Sequence, residues 1–320
     1  MRRIILDTDL AMGAPGSDID DGFALALALA DPELDVDLVT TVNGNTDVDT
    51  ATLLCLELLH RLGRTDVPVV RGASRPLLRP LHDTPARQRV RDVREQVPAR
   101  EPAPGQAAAA IVEHVMASPG EITLVPIGPL TNIALALAME PRVAQNVKAV
   151  VCMGGVFLEH TNRAGMPGEF NIWVDPDAAA VVLGSGAPLR FVGLDVTLQV
   201  RLTRAHAAQL AAGGSDFGTF AGEYTQGWID HLEKHVPGDP REHGSCAMHD
   251  PLAVAVVSRP DLVTWRPAYV QVEARGDVAR GVTIADLLTT DDPPAANCEI
   301  ATAVDVNAFT SLFLERISAL

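Results

Sequence analysis

The chain has 320 residues, 47% hydrophobic but only 4% aromatic, so a sizeable core has to be built mainly from Ala, Val, Leu and Ile. Its 41 acidic against 25 basic side chains give a net charge of −16. That charge repels nucleic acid polymers and anionic membranes, and favours a neutral polar small molecule or a cation as partner.

In chain order, residues 3–6 read as a short buried strand that runs into Asp7-Thr8-Asp9. A Gly- and Pro-containing loop follows, then a helix over 22–30 and a second buried strand over 36–42. Asn43-Gly44-Asn45 leads to a Leu-rich helix from about Thr50. The alternation recurs as a strand over 122–126, a helix over 130–139, a strand over 149–153 and a helix over 176–183. Such alternation implies parallel βαβ units, which bind ligands at the carboxyl ends of their strands. The expected fold is α/β: a single domain over 1–320 with a mainly parallel, Rossmann-like central sheet flanked by helices. Residues 72–104, rich in Pro and Arg with little periodicity, read as a surface excursion near the site. A second irregular stretch spans 236–245.

Cys55, Cys152, Cys246 and Cys298 have neither zinc spacing nor a disulfide pattern. Acid at Asp7 comes too early for a signal peptide, and no apolar run is long enough to span a bilayer. A cytoplasmic protein is expected.

Asp7, Asp9, Asp18, Asp20 and Asp21 gather five carboxylates near one strand end and one helix start. Helix capping by Asp20 or Asp21 explains one or two of them, not five. An oxygen-rich cluster of this kind calls for a hard divalent cation to offset its repulsion.

With these residues the chain resembles the inosine-uridine-preferring nucleoside hydrolase family. The family opens with Asp-x-Asp at the end of its first strand and a later Asp-Asp pair that starts a helix. The resemblance continues through 41–45 (Thr-Val-Asn-Gly-Asn), 125–134, Met153-Gly154-Gly155, 168–176 and His249-Asp250-Pro251, and on to Gly281-Val282-Thr283 and Val304-Asp305-Val306. A lone Asp-x-Asp is weak evidence; an ordered set over nearly the whole chain is strong.

The resemblance implies a nucleoside N-ribohydrolase of nucleoside salvage, acting with Ca2+ on small ribonucleosides as a homodimer or homotetramer. Its metal ligands would be Asp9, Asp21, Asp250 and the backbone carbonyl of Ile127. Asp9 would also be the general base, taking a proton from a water polarised by calcium. Asp20, Asn45, Glu169 and Asn171 would hold the ribose hydroxyls, Met153 would line the sugar, and Asn162 would add a contact. His249 would protonate the leaving base, its ordinary pKa near neutrality allowing this. Asp7 would orient the neighbouring loop or stand just behind the metal's ligands.

Blander readings stand beside these. Asp250 before Pro251 is a common N-cap pattern. Asn45 fits ordinary turn chemistry, and Met153 fits a core. A histidine beside a helix start is often only hydrogen-bonded there. Glu169 and Asn171, by contrast, read as neighbours on one face of an extended segment, which suits two ligands facing the same sugar.

The chain departs from the family in two places. Residues 10–17 (Leu-Ala-Met-Gly-Ala-Pro-Gly-Ser) replace a compact turn, which leaves Asp18 as an alternative to Asp20. The family's His-Gly motif is absent, with only Leu81-His82-Asp83 in that region. Base preference is therefore open, and Trp228 is the best of the three tryptophans for stacking on a base.

Two other functions compete. A haloacid dehalogenase-type phosphatase also begins strand-Asp-x-Asp, but needs a lysine and a late acidic pair; only Lys148 and Lys234 exist here. A nucleoside- or sugar-binding protein that keeps the metal site would bind ribosides without releasing ribose.

Overall fold

The computed structural model describes residues 1–81, 90–159, 161, 165–288 and 291–320. Short runs of buried apolar residues form β1 (Arg2–Thr8), β2 (Leu34–Thr41), β3 (Val69–Arg71), β4 (Thr123–Pro126), β5 (Ala149–Met153) and β6 (Leu189–Val192). β7 (Arg201–Thr203) and β8 (Ser245–Ala247) make a separate antiparallel pair. β9 (Val263–Val272), β10 (Thr283–Asp286) and β11 (Cys298–Val304) join the first six in a nine-stranded sheet of order β10-β9-β11-β6-β5-β4-β1-β2-β3. All pairs from β3 to β11 are parallel; only β9 runs against its two neighbours. The expected α/β fold with a mainly parallel sheet is what the chain adopts.

The helices are α1 (Asp20–Ala30), α2 (Val48–Arg61), α3 (Ala107–Ala117), α4 (Thr131–Met139), α5 (Val143–Asn146) and α6 (Phe170–Val174), then α7 (Pro176–Leu183), α8 (Leu194–Thr197), α9 (Arg204–Ala212), α10 (Asp216–His235), α11 (His249–Ser258) and α12 (Val306–Ile317). The pleat of β1 divides its side chains between two cores. Ile4 and Leu6 pack with residues of α1, α2, α11 and α12, whereas Ile5 packs with α3, α4 and α7. α1 is buried from Asp20 to Ala28, which explains why its Ala–Leu sequence shows so little polar face.

β1 pairs with β2 on one side and β4 on the other, so the chain reverses its winding direction there. The crevice outside the carboxyl ends of such strands is where open α/β sheets bind ligands.

The loop over residues 10–17 is packed as core. Leu10, Ala11, Met12 and Ala14 are fully buried, and Ser17 Oγ donates to the carbonyls of Ala11 and Ala14. Met12 lies against α1 at Gly22, where a Cβ would come within 2.3 Å of its sulfur; only glycine fits. Tyr224 of α10 donates its hydroxyl to Gly13 O (2.8 Å), so the loop is held from both sides.

Several expected boundaries shift. α1 starts at Asp20 rather than 22, α2 starts at Val48, and β2 spans Leu34–Thr41 rather than 36–42. The long helix α10 and strands β6, β9, β10 and β11 were not legible from periodicity. Within the excursion over 72–104, Ala73 N donates to Asn132 Oδ1 and Leu77 N to Asp175 Oδ2, tying the described part to α4 and α7. His82 and Asp83 lie outside the described residues. No described helix is long and apolar enough to cross a membrane.

Candidate active site

The carboxyl ends of β1, β2, β4 and β5 meet below a cavity of about 420 Å³. Asp7 does not face it. Its Oδ1 accepts from Thr40 Oγ1 and Asn132 Nδ2, and its carbonyl accepts Ile127 N (2.8 Å), so it ties β1 to β2 and to the end of β4. Burial pushes its carboxyl up to about 7.

Asp20, Asp21 and Asp250 bring ligand oxygens within 4.8 Å of one another, all buried. The expectation that Asp20, Asp21 or Asp250 acts as an N-cap does not hold. Ile19 and Met248 occupy the cap positions of α1 and α11 without side-chain caps, and Pro251 falls third in its helix. The three carboxylates sit in the first turns, and those of Asp20 and Asp21 have other partners. Asp21 accepts from Thr8 Oγ1 and from Asn45 Nδ2 (2.9 Å), while Asp20 Oδ2 accepts from Asp250 N (3.2 Å). Burial pushes Asp21 up to about 7 and Asp20 and Asp250 well above the usual range; the largest charges acting on them are other carboxylates. Three buried acids with no cation among their main influences form a donor set that fits a hard divalent ion. Asp18 hydrogen-bonds Asp20 and lines the same cavity, so both alternatives raised by the long loop are present together.

Asp9 stands beside this trio. Its Oδ2 accepts Asn45 N (2.6 Å), and its charge acts on Asp250. Two glycines make room for the carboxylate: a Cβ at Gly44 would lie 1.8 Å from Asp9 Oδ2, and one at Gly128 2.7 Å from Oδ1. Asn45 is thus both a bend residue and a site residue, with its backbone on Asp9 and its amide on Asp21.

Asn171 Nδ2 donates to Ile127 O (2.8 Å), Met153 O (3.3 Å) and Met153 Sδ (3.4 Å), joining the ends of β4 and β5 within the cavity wall. Glu169 and Asn171 are not on an extended segment. Glu169 is the N-cap of α6, accepting from the N–H groups of Gly155, Asn171 and Ile172, and Asn171 lies in the first turn. Burial raises Glu169 to about 7 despite those donors. Asn162 lies outside the described residues.

His249 lines the cavity at the start of α11, 2.7 Å from Thr197 Oγ1 through Nδ1. A pKa near neutrality does not survive folding: burial first, then the Arg201 charge, pushes it down to about 4, so the ring is neutral at pH 7.

The opposite wall comes from α10. Trp228 and His231 stack at 5.2 Å with 15° between their planes, and His231 stacks on His235 at 4.1 Å. Trp228 and His231 line the main cavity and also a side cavity of about 200 Å³ bounded by Asn43, Pro76, Pro80 and Arg280. Sequence reasoning named Trp228 but missed His231. The three- and four-residue spacing of 228, 231 and 235 was the available signal.

Buried acids at the switch point of a parallel sheet, facing an aromatic wall across one cavity, form a site suited to a cation and a small polar ligand. The comparisons make the class specific. The chain belongs to the inosine-uridine preferring nucleoside hydrolase family, which matches residues 4–311. It is 40% identical over 315 residues to the non-specific ribonucleoside hydrolase RihC of Salmonella schwarzengrund (strain CVM19633), covering 96% of this chain and 94% of that one. The fold superposes on a purine-preferring ribonucleoside hydrolase from Gardnerella vaginalis with a TM-score of 0.87 at 33% identity, covering 99% and 98% of the two chains. A plant nucleoside hydrolase gives 0.87 at 30% identity, covering 100% and 99%. The activity is hydrolysis of ribonucleosides to ribose and base, and the phosphatase alternative is set aside.

Proposed function

We propose that this hydrolysis runs with calcium held by Asp9, Asp21, Asp250 and the Ile127 carbonyl, and that it tolerates several nucleobases. The observation that carries the reading is the cluster of buried Asp20, Asp21 and Asp250, whose ligand oxygens lie within 4.8 Å of one another beside a cavity that Asp20 and Asp250 line. When bound, the cation supplies polarisation of water and an anchor for the ribose diol.

Asp9 is the base: the Asn45 N–H fixes one of its oxygens, which leaves the carboxylate oriented to take a proton. Asp20, Asn45, Glu169 and Asn171, with Met153 beneath and Asn162 in addition, hold the sugar as positive charge develops at the anomeric carbon. Fixed dipoles and carboxylates around that charge lower the barrier. His249, neutral at pH 7, offers the departing base a hydrogen bond through the nitrogen not engaged by Thr197. Trp228 supplies an aromatic face for the base. The acid-rich site favours nucleosides over nucleotides. Similarity to an enzyme named as non-specific supports broad base use. The four buried free cysteines suit a reducing cytoplasm, and a homodimer or homotetramer is the assembly expected from the family.

The test is free-ribose release from a panel of purine and pyrimidine ribonucleosides, with and without a chelator and with calcium restored. Chelator-sensitive release that calcium rescues supports the whole reading. Ribose release indifferent to chelation overturns the metal assignment, and calcium binding without ribose from any nucleoside leaves the binding-only protein.

A further inference from the structure

The side cavity beside Asn45 contains a feature that ribose chemistry does not use. Asn43 is fully buried on its wall, and neither Nδ2 nor Oδ1 has a hydrogen-bond partner among the described residues. Its main chain is fixed, with Asn43 N donating to Ala73 O (3.0 Å), so the side chain alone is uncommitted. Arg280 Nε, on the same wall, is a second buried donor without a partner. Leaving such groups unsatisfied is unfavourable, and a folded chain that keeps an amide in this state leaves it for an occupant.

We infer that Asn43 reads the polar edge of the nucleobase, and that its freedom to turn over lets one side chain accept two kinds of base. The inference rests on the ribonucleoside reading above. An amide presents one donor beside one acceptor. A lactam edge, N–H beside C=O, as in uracil and hypoxanthine, matches it in one orientation. An amidine edge, NH2 beside a ring nitrogen, as in cytosine and adenine, matches it after a half-turn about the side chain. A partner elsewhere in the protein would pin one orientation and select one edge; among the described residues Asn43 has none. The cavity is also bounded by Trp228 and His231, so a base stacked on α10 extends its edge into a polar wall.

The experiment compares kcat/KM for uridine, cytidine and N3-methyluridine, with calcium present, in the wild type and Asn43→Leu. Wild type is expected to use cytidine and uridine comparably and to lose about tenfold on N3-methyluridine, whose edge is blocked. In Asn43→Leu, uridine and cytidine should each fall about tenfold while N3-methyluridine barely changes, so the methyl penalty disappears. Equal losses on uridine and N3-methyluridine, or a loss confined to one edge type, overturn the inference while the hydrolase reading stands. If the variant does not fold, the wild type still decides, because equal use of uridine and N3-methyluridine excludes edge reading. If wild type releases no ribose, calorimetric binding of the same three nucleosides carries the same ratios, and equal affinities would again overturn it.

Discussion

The acids at the strand ends and the aromatic face of α10 border one cavity, yet different forces hold them. Asp9, Asp20, Asp21 and Asp250 are buried, and the first three are held by hydrogen bonds from neighbouring backbone and side chains, on elements that the parallel sheet dictates. Trp228 and His231 stand on α10, which packs chiefly against α9 and β8, and their order comes from stacking and from the packed loop over 10–17. The floor is specified by charge that must be neutralised, and the wall by shape. Rules for the sugar and the cation therefore tolerate little variation, while those for the base can drift by changing one helix face or one loop.

The largest effect should come from the floor. Asp9→Asn keeps the volume and is expected to lower kcat on uridine by about 10³-fold with the fold intact by circular dichroism, as loss of a general base requires. A loss under tenfold would remove Asp9 from that role. Next, Gly44→Ala pushes a methyl into the Asp9 carboxylate and should cost about 10²-fold in kcat through misplacement alone. Near-normal turnover in that variant would mean that Asp9's position does not matter.

Substitutions in the wall should act on the base. Trp228→Ala is expected to reduce kcat/KM about tenfold by loss of stacking, with calcium affinity unchanged in a metal titration. If calcium affinity falls as much as kcat/KM, the division between floor and wall is wrong.

The smallest effect is on stability. Burial holds Asp7, Asp21 and Glu169 at about 7, against ordinary values of 3.8, 3.8 and 4.5. Between those limits the folded chain binds more protons than the unfolded one, so the cation-free protein should lose stability as pH rises through that window. Calcium favours the ionised carboxylates and should reverse the slope. Melting temperatures at about pH 5 and pH 8, with chelator and with calcium, measure both slopes; identical profiles in the two conditions would remove the link between these acids and the cation.

Much of the floor was readable because its residues are close in sequence or stand beside strand ends. Asp7 to Asp9 follow a run of apolar residues, and a dense set of acids implies a cation whatever the fold. The errors arose where local pattern and tertiary demand compete. Asp250 before proline looks like a cap, but its carboxylate lies among the other acids, and the helix begins two residues earlier. Glu169 and Asn171 look like alternate positions of an extended segment, but Glu169 caps a five-residue helix too short to show a period. For His249 the sequence shows an imidazole with its ordinary value, and only the fold shows that burial lowers it to about 4.

By itself the sequence determined the parallel α/β frame, the strand ends that carry acid, and the family to which those motifs belong, because alternating apolar runs and clustered charge act locally. The tertiary structure decided which acids meet, that the inserted loop becomes core, that α10 forms the far wall, and that Asn43 is left buried with no hydrogen-bond partner among the described residues. These features depend on burial and on contacts between residues as far apart as Gly13 and Tyr224, and no local pattern records which distant side chains will share a low-dielectric space.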